Sequence, residues 1–201
     1  MIQTVLHVGA GHPRSGAQLP AAFRIPEWRE IRLDIDPANQ PDVVGSMLDM
    51  SAVSAGTIDA VYSAHNIEHV FPHEVPVVLK EFLRVLSDAG FLVVTCPDLQ
   101  TVAQLVADDK LMEAAYTSPA GPITPLDILY GYRPAIEQGN HFMAHKCGFT
   151  LKVLLTMLTS AGFQAVAGKR RVKAFDLWAV ASKGVMSDDA IRELAAKYLP
   201  A

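Results

Sequence analysis

The sequence predicts an α/β protein of the Rossmann-like kind, doubly wound about a mostly parallel seven-stranded sheet that ends in an antiparallel hairpin. Three observations carry that expectation. Short apolar, β-branched runs recur along the chain with helical patterns between several of them, the rhythm of strands joined by helical crossovers. The first run ends in a glycine turn, Gly9-Ala10-Gly11. The last two runs are separated only by a short basic stretch, too short for a parallel crossover, so they pair as a hairpin.

Taken in order, strands are expected at 4–8, 30–33, 42–44, 58–62, 91–95, 164–167 and 175–181. The clearest helix covers 73–86, where Val75, Val78, Leu79, Phe82 and Leu86 repeat at i, i+3, i+4 spacing on one face. A second covers 149–161, with Leu151, Leu154, Leu155 and Leu158 inward and Gly162 as its stop. A third opens at Ser187, with Asp188 and Asp189 where the helix dipole favours acids. The rhythm lapses over about 108–147, which holds Pro119, Pro122, Pro125 and Pro134. A structureless loop of that length is unusual unless functional, so the segment is expected to be a lid or substrate-binding insert in one domain spanning 1–201.

The totals narrow the function. A chain of 201 residues, 50% hydrophobic and 19% charged, is long enough for one full core. Its net charge of −4 supplies no basic footprint for nucleic acid. The local run Lys169, Arg170, Arg171 and Lys173 reads as a solvated turn. Cys96 and Cys147 form no CxxC pair, which points to a reducing compartment without disulfides or a zinc cluster. No leader and no membrane-spanning run is apparent, so the expectation is cytoplasmic, with no membrane partner.

An apolar strand ending in GxG lets the backbone turn sharply and approach a ligand. Roughly twenty residues further on, the second strand ends in Asp34-Ile35-Asp36, where an acid accepts hydrogen bonds from ribose hydroxyls. Asp34 is the first choice and Asp36 the second, since Asp36-Pro37 also reads as a turn opener. A dehydrogenase shares both features, and the motifs from the fourth strand onward separate the two classes. Ile58-Asp59-Ala60-Val61-Tyr62-Ser63 runs into Glu68-His69, then a helix, then Val85-Leu86-Ser87-Asp88-Ala89-Gly90-Phe91, and later Phe149 through Ala161-Gly162-Phe163.

In order and spacing this set resembles the class I S-adenosylmethionine (SAM)-dependent methyltransferases, specifically the broad type 11 group, over nearly the whole chain except the insert. The resemblance implies that Gly9, Ala10 and Gly11 line the methionine part of SAM, and that Asp34 holds the ribose. Met47 and Leu48 flank the adenine, whose amine meets Asp49 or Ser46. Ser63, Ala64 and His65 lie beside the sulfonium. Two departures stand out. The family continues from GxG into a regular helix, whereas Pro13, Pro20 and Pro26 leave room here only for a short one, so that Arg14 is a candidate for the methionine carboxylate. Ser46 also stands where an acid is common.

Methyl transfer from a sulfonium is an in-line displacement, so alignment matters most. A base is needed only for a protonated acceptor. The histidine candidates for acceptor contact or base are His65, His141 and His145. His69 is expected to fix the loop instead. His141 and His145 lie at i, i+4 but show no third ligand, so no metal is expected. Tyr130, Tyr132 and Arg133 offer aromatic and cationic groups to a substrate, or pack a loop or dimer contact. Cys96 reads as a small buried hydrophobe. The expected reaction moves a methyl group from SAM to a small molecule, through O or N first. The alternatives are a non-catalytic SAM-binding or partner module and an NAD-dependent oxidoreductase, the latter weakened by the missing third glycine. The oligomeric state stays open, a dimer included.

Overall fold

The computed structural model describes residues 2–13 and 18–200. The strands are β1 (Gln3–Val8), β2 (Trp28–Asp34), β3 (Val43–Val44), β4 (Ile58–Ala64) and β5 (Leu86–Pro97). A small pair, β6 (Tyr116–Ser118) and β7 (Gly121–Ile123), stands apart, and β8 (Ala165–Arg171) and β9 (Asp176–Ser182) complete the set. The helices are α1 (Val75–Val85), α2 (Leu99–Ala107), α3 (Pro125–Tyr130), α4 (Arg133–Glu137), α5 (Leu151–Ala161) and α6 (Asp188–Tyr198). The main sheet has seven strands in the order β3-β2-β1-β4-β5-β9-β8. Its first five are parallel, while β9 runs antiparallel to both β5 and β8.

Alternation along the central strands sends side chains to two cores. Leu6, Val8, Val61, Leu92 and Val94 meet Val78, Leu79 and Phe82 of α1 and Leu154 and Leu158 of α5. On the opposite face Val5, Ala60, Tyr62, Val93 and Val180 meet Phe23 and the Ile191, Tyr198 and Leu199 end of the chain.

That second face shows where the helical layer departs from expectation. Among the described residues no α-helix joins β1 to β2; a three-residue 3-10 turn, Ala21–Phe23, stands there behind Pro20. Further 3-10 turns come after β2 and β4, at Pro37–Asn39 and Ile67–His69. The prolines explain the first case, since each removes an amide donor and restricts the residue before it. Helix α6 covers the sheet instead, with Tyr198 packed 4.6 Å from Phe23 and 4.8 Å from Phe91, ring centre to ring centre.

Local signals fix the remaining elements. Helix α1 starts at Val75, with Pro76 in its first turn, and ends where Leu86 turns extended, so β5 begins earlier than the apolar run suggested. Helix α5 is capped by the Thr150 hydroxyl and stopped by Gly162 in the left-handed region, as its sequence requires. The basic run is a solvated turn only at Lys173, which is exposed. Arg170 pairs with buried Asp98 at 2.7 Å and Arg171 with Asp176, so both close the end of the hairpin from inside. No helix among the described residues is long and apolar enough to cross a membrane.

The segment between α2 and α5 is built of short pieces rather than a structureless loop. Thr124 and Asp127 form a reciprocal cap on α3, and Arg133 clasps the Asp127 carboxylate at 2.7 Å. Val102, Ile123 and Ile128 make a small core of its own. The segment folds back through a bridge between Gly131 and Ala144, where a Cβ on Gly131 would lie 2.0 Å from the Met143 carbonyl. It then docks on the main sheet, with the Lys146 and Cys147 amides donating to the Glu68 carbonyl.

Candidate active site

The carboxyl ends of β1, β2 and β4 open into a cleft of about 470 Å³. Ligands bind at this edge of open α/β sheets, and the size suits a nucleoside-bearing molecule. Gly9, Gly11, Asp34, Asp36, Ser46, Met47, Leu48, Ala64 and His65 all line it. Ala10, Ser63 and Asp49 do not: Ala10 and Ser63 are buried behind the rim, and the Asp49 carboxylate accepts from the Ser51 amide outside it. Arg14 lies outside the described residues.

The glycine turn is held from its neighbours rather than by a helix. Gly9 has φ +62°, and any Cβ there would collide with the Asn66 side chain. Asn66 donates to the carbonyls of Val8 (2.8 Å) and Ala64 (2.9 Å), tying β1 to β4 at the cleft. Gly11 is gripped at both ends: its amide donates to Asp34 Oδ2 at 2.7 Å, and its carbonyl accepts from the Arg32 guanidinium. Asp34, buried, also accepts from the Asp36 amide and the Asn39 side chain at Oδ1. A carboxylate has about four acceptor positions, so one of Asp34's remains for a ligand. Asp36 opens the next turn by accepting from the Ala38 amide through Oδ1, and its second oxygen points to no partner in that turn.

The end of β4 holds a cluster of ionisable groups. His65 sits in the left-handed region at φ +53°, an uncommon conformation for a residue with a Cβ, and its side chain is half exposed. Its Nδ1 lies 3.5 Å from Glu68 Oε1. The protein around the ring pushes its pKa down, but the Glu68 carboxylate outweighs that and the net direction is up. Glu68 is 1% exposed. Burial raises its pKa, while His65, then His69 and His145, more than offset this and hold it below its ordinary value. His145 moves down because burial dominates.

His145 and Tyr130 line a second, smaller pocket of about 160 Å³, with Lys146 shared between the two cavities. His141, Tyr132 and Arg133 line neither: the Tyr132 hydroxyl donates to the Ala120 carbonyl, and Arg133 is engaged with Asp127. The same segment nevertheless reaches the cleft through Asn140, Phe142 and Met143. Cys96 is fully buried, with its thiol pushed well up by burial, and burial, reinforced by the nearby Glu68 charge, lifts Cys147 to about 11. Sequence reasoning missed Arg32, Asn39 and Asn66, whose importance is positional and leaves no motif. It also underrated Glu68, whose burial no spacing marks.

A parallel sheet with one reversed strand next to its edge, a glycine turn gripped by the acid of the second strand and a cleft at the carboxyl ends define the SAM-dependent methyltransferases of class I. Comparison agrees: residues 6–94 match the family described as "Methyltransferase domain", which supports a SAM-dependent methyltransferase with SAM as its cofactor. No curated protein matches it. Among solved structures, 1,6-didemethyltoxoflavin-N1-methyltransferase from Burkholderia thailandensis, with bound 1,6-didemethyltoxoflavin and S-adenosylhomocysteine, is 18% identical at a TM-score of 0.57, over 91% of this chain and 72% of that one. A SAM-dependent methyltransferase from Thermotoga maritima, described as a possible histamine N-methyltransferase, is 15% identical at 0.53, over 90% and 81%. An O-methyltransferase family protein from Burkholderia thailandensis is 13% identical at 0.55, over 92% of this chain but only 52% of its own length. At these identities the likeness is one of fold.

Proposed function

We propose that this chain transfers the SAM methyl group to a small-molecule acceptor through oxygen or nitrogen. The observation that carries the reading is the shape of the cleft, closed on one side by the Asp34-gripped glycine turn and on the other by Phe142 and Met143 of the 108–147 segment. That segment serves as a lid on a single domain. Gly9 and Gly11 frame the methionine moiety, Asp34 with Asp36 takes the ribose hydroxyls, and Ser46, Met47 and Leu48 receive the adenine. His65, at the mouth of β4, contacts the acceptor. The chain's residues supply alignment and exclusion of water, which can be worth roughly 7–11 kcal/mol; SAM, when bound, supplies the activated methyl.

Net charge and the absence of a basic stripe among the described residues favour a small acceptor over a nucleic acid. Two free cysteines suit a reducing, cytoplasmic setting. The test is label transfer: the purified chain is incubated with methyl-labelled SAM and, separately, a small-molecule extract, RNA, DNA and protein. Label is expected in the small-molecule fraction. Label in a macromolecular fraction alone would refute the acceptor class.

A further inference from the structure

We propose that Glu68, His69 and His145 hold a divalent transition-metal ion of the zinc class in the wall between the two cavities. One ligand atom from each of the three lies within 4.8 Å of the others. The two imidazole rings meet edge to face, 4.9 Å apart at 68°. Two histidine nitrogens and one carboxylate oxygen form a donor set suited to zinc, cobalt or ferrous iron. Ligand atoms about 2.1 Å from a tetrahedral ion sit about 3.4 Å apart, so closure needs a contraction of about an ångström. Rotation of long side chains supplies that.

The carboxylate asks for a cation. Glu68 is 1% exposed, and neither of its oxygens has a hydrogen-bond partner. Buried carboxylates are otherwise paired or bound to metals. The nearest cationic atom, His65 Nδ1, stands at 3.5 Å, beyond a good hydrogen bond, on a ring that is half exposed. Lys146 comes from the neighbouring backbone, but its ammonium lies over the Phe71 ring instead.

His145 is oriented as a ligand. His145 Nδ1 is 2.8 Å from the Ile128 carbonyl and donates to it, which leaves the Nε2 lone pair free. A carbonyl that accepts from the far ring nitrogen is the usual partner of a metal-bound imidazole. His69 has a carbonyl at 3.1 Å from each ring nitrogen, Ala144 on Nδ1 and His65 on Nε2. A neutral ring can donate to only one of them. An ion taken through the other nitrogen would have to displace the carbonyl that faces it.

The sequence led to no metal site because the partner sought for His145 stood at i−4. The partners come from the turn after β4 instead, brought together where the 108–147 segment docks on the Glu68 carbonyl. His69 faces the cofactor cleft and His145 the smaller pocket. Three protein ligands leave a fourth position for water or an acceptor oxygen. That use rests on the methyl-transfer reading; the binding of the ion does not.

The test is metal uptake by the whole chain after chelation. Cobalt(II) is titrated and followed by visible absorption, zinc competes it off, and bound metal is counted by elemental analysis after dialysis. One equivalent per chain is expected, with a rise in melting temperature. Glu68→Gln and His145→Ala should each weaken uptake about 100-fold or more, while His73→Ala, an exposed histidine outside the trio, should bind as the parent does. Circular dichroism identifies a variant that fails to fold, and the other then decides. No saturable uptake, or uptake that neither variant weakens, would overturn the site and leave a protonated histidine as the partner of Glu68. Metal uptake without SAM binding would instead refute the functional reading and leave the site standing.

Discussion

The two crossovers beside β4 solve one problem in opposite ways. Between β4 and β5 the chain forms an eleven-residue helix whose Val75, Val78, Leu79, Phe82 and Val85 are all buried. Between β1 and β2 only a three-residue 3-10 turn stands among the described residues, and the cleft rim is fixed by side chains: Asp34 and Arg32 on Gly11, Asn66 on Val8. A helix held by apolar packing governs stability. A rim held by polar staples governs the shape of the cleft, because Gly9, Gly11, Asp34 and Asn66 all line it.

The two sides should therefore fail differently. Phe82→Ala removes a fully buried ring from the helical crossover and should cost about 3–5 kcal/mol. Thermal unfolding would then fall by roughly 2–4 °C per kcal/mol, with cofactor affinity in the cold unchanged. Asp34→Ala should do the reverse: affinity for SAM should drop on the order of 100-fold by calorimetry, while stability falls only about 1–3 kcal/mol. Equal effects from both variants on both readouts would break the contrast. Arg32→Gln takes one charge-assisted bond from the Gly11 carbonyl and should weaken SAM binding about tenfold, again by calorimetry.

The smallest effect concerns the 108–147 segment and its pH dependence. Burial pushes the Asp127 pKa up, but hydrogen bonds from Arg133 and Thr124 outweigh it and hold the carboxyl well below its ordinary range. A carboxylate whose folded pKa is depressed contributes fully above its unfolded value of about 3.9. That contribution drains away as pH falls below about 4. The segment should therefore become more protease-sensitive than the main sheet at pH 3, and Asp127→Asn should show that sensitivity already at pH 7. A segment equally resistant at both pH values would count against the clasp.

The same contrast explains what the sequence could reveal. Helices α1 and α5 and the central strands were legible because burial imposes a period, and Thr150 and Gly162 mark the ends of α5. The prolines foretold that the first crossover would be short, and Asp34 was legible because its place after the second strand is fixed by topology. Arg32, Asn39 and Asn66 were not, since they act through distances set by strand pairing, which no spacing rule encodes. Arg170 in the basic run was misread for a related reason: its partner Asp98 lies far away along the chain. The 108–147 segment lacked a period because its pieces are three to six residues long, held by the Thr124–Asp127 cap and the Gly131–Ala144 bridge rather than by a face.

Binding of SAM in the Asp34-gripped cleft underlies every functional role assigned to this chain. Calorimetric titration of S-adenosylhomocysteine into the parent chain and into Asp34→Ala, with NADH titrated in parallel, puts it to the test. One saturable site is expected in the parent, severely weakened in the variant, and no binding of NADH. Binding of NADH without the adenosyl ligand, or adenosyl binding untouched by Asp34→Ala, would contradict the assignment.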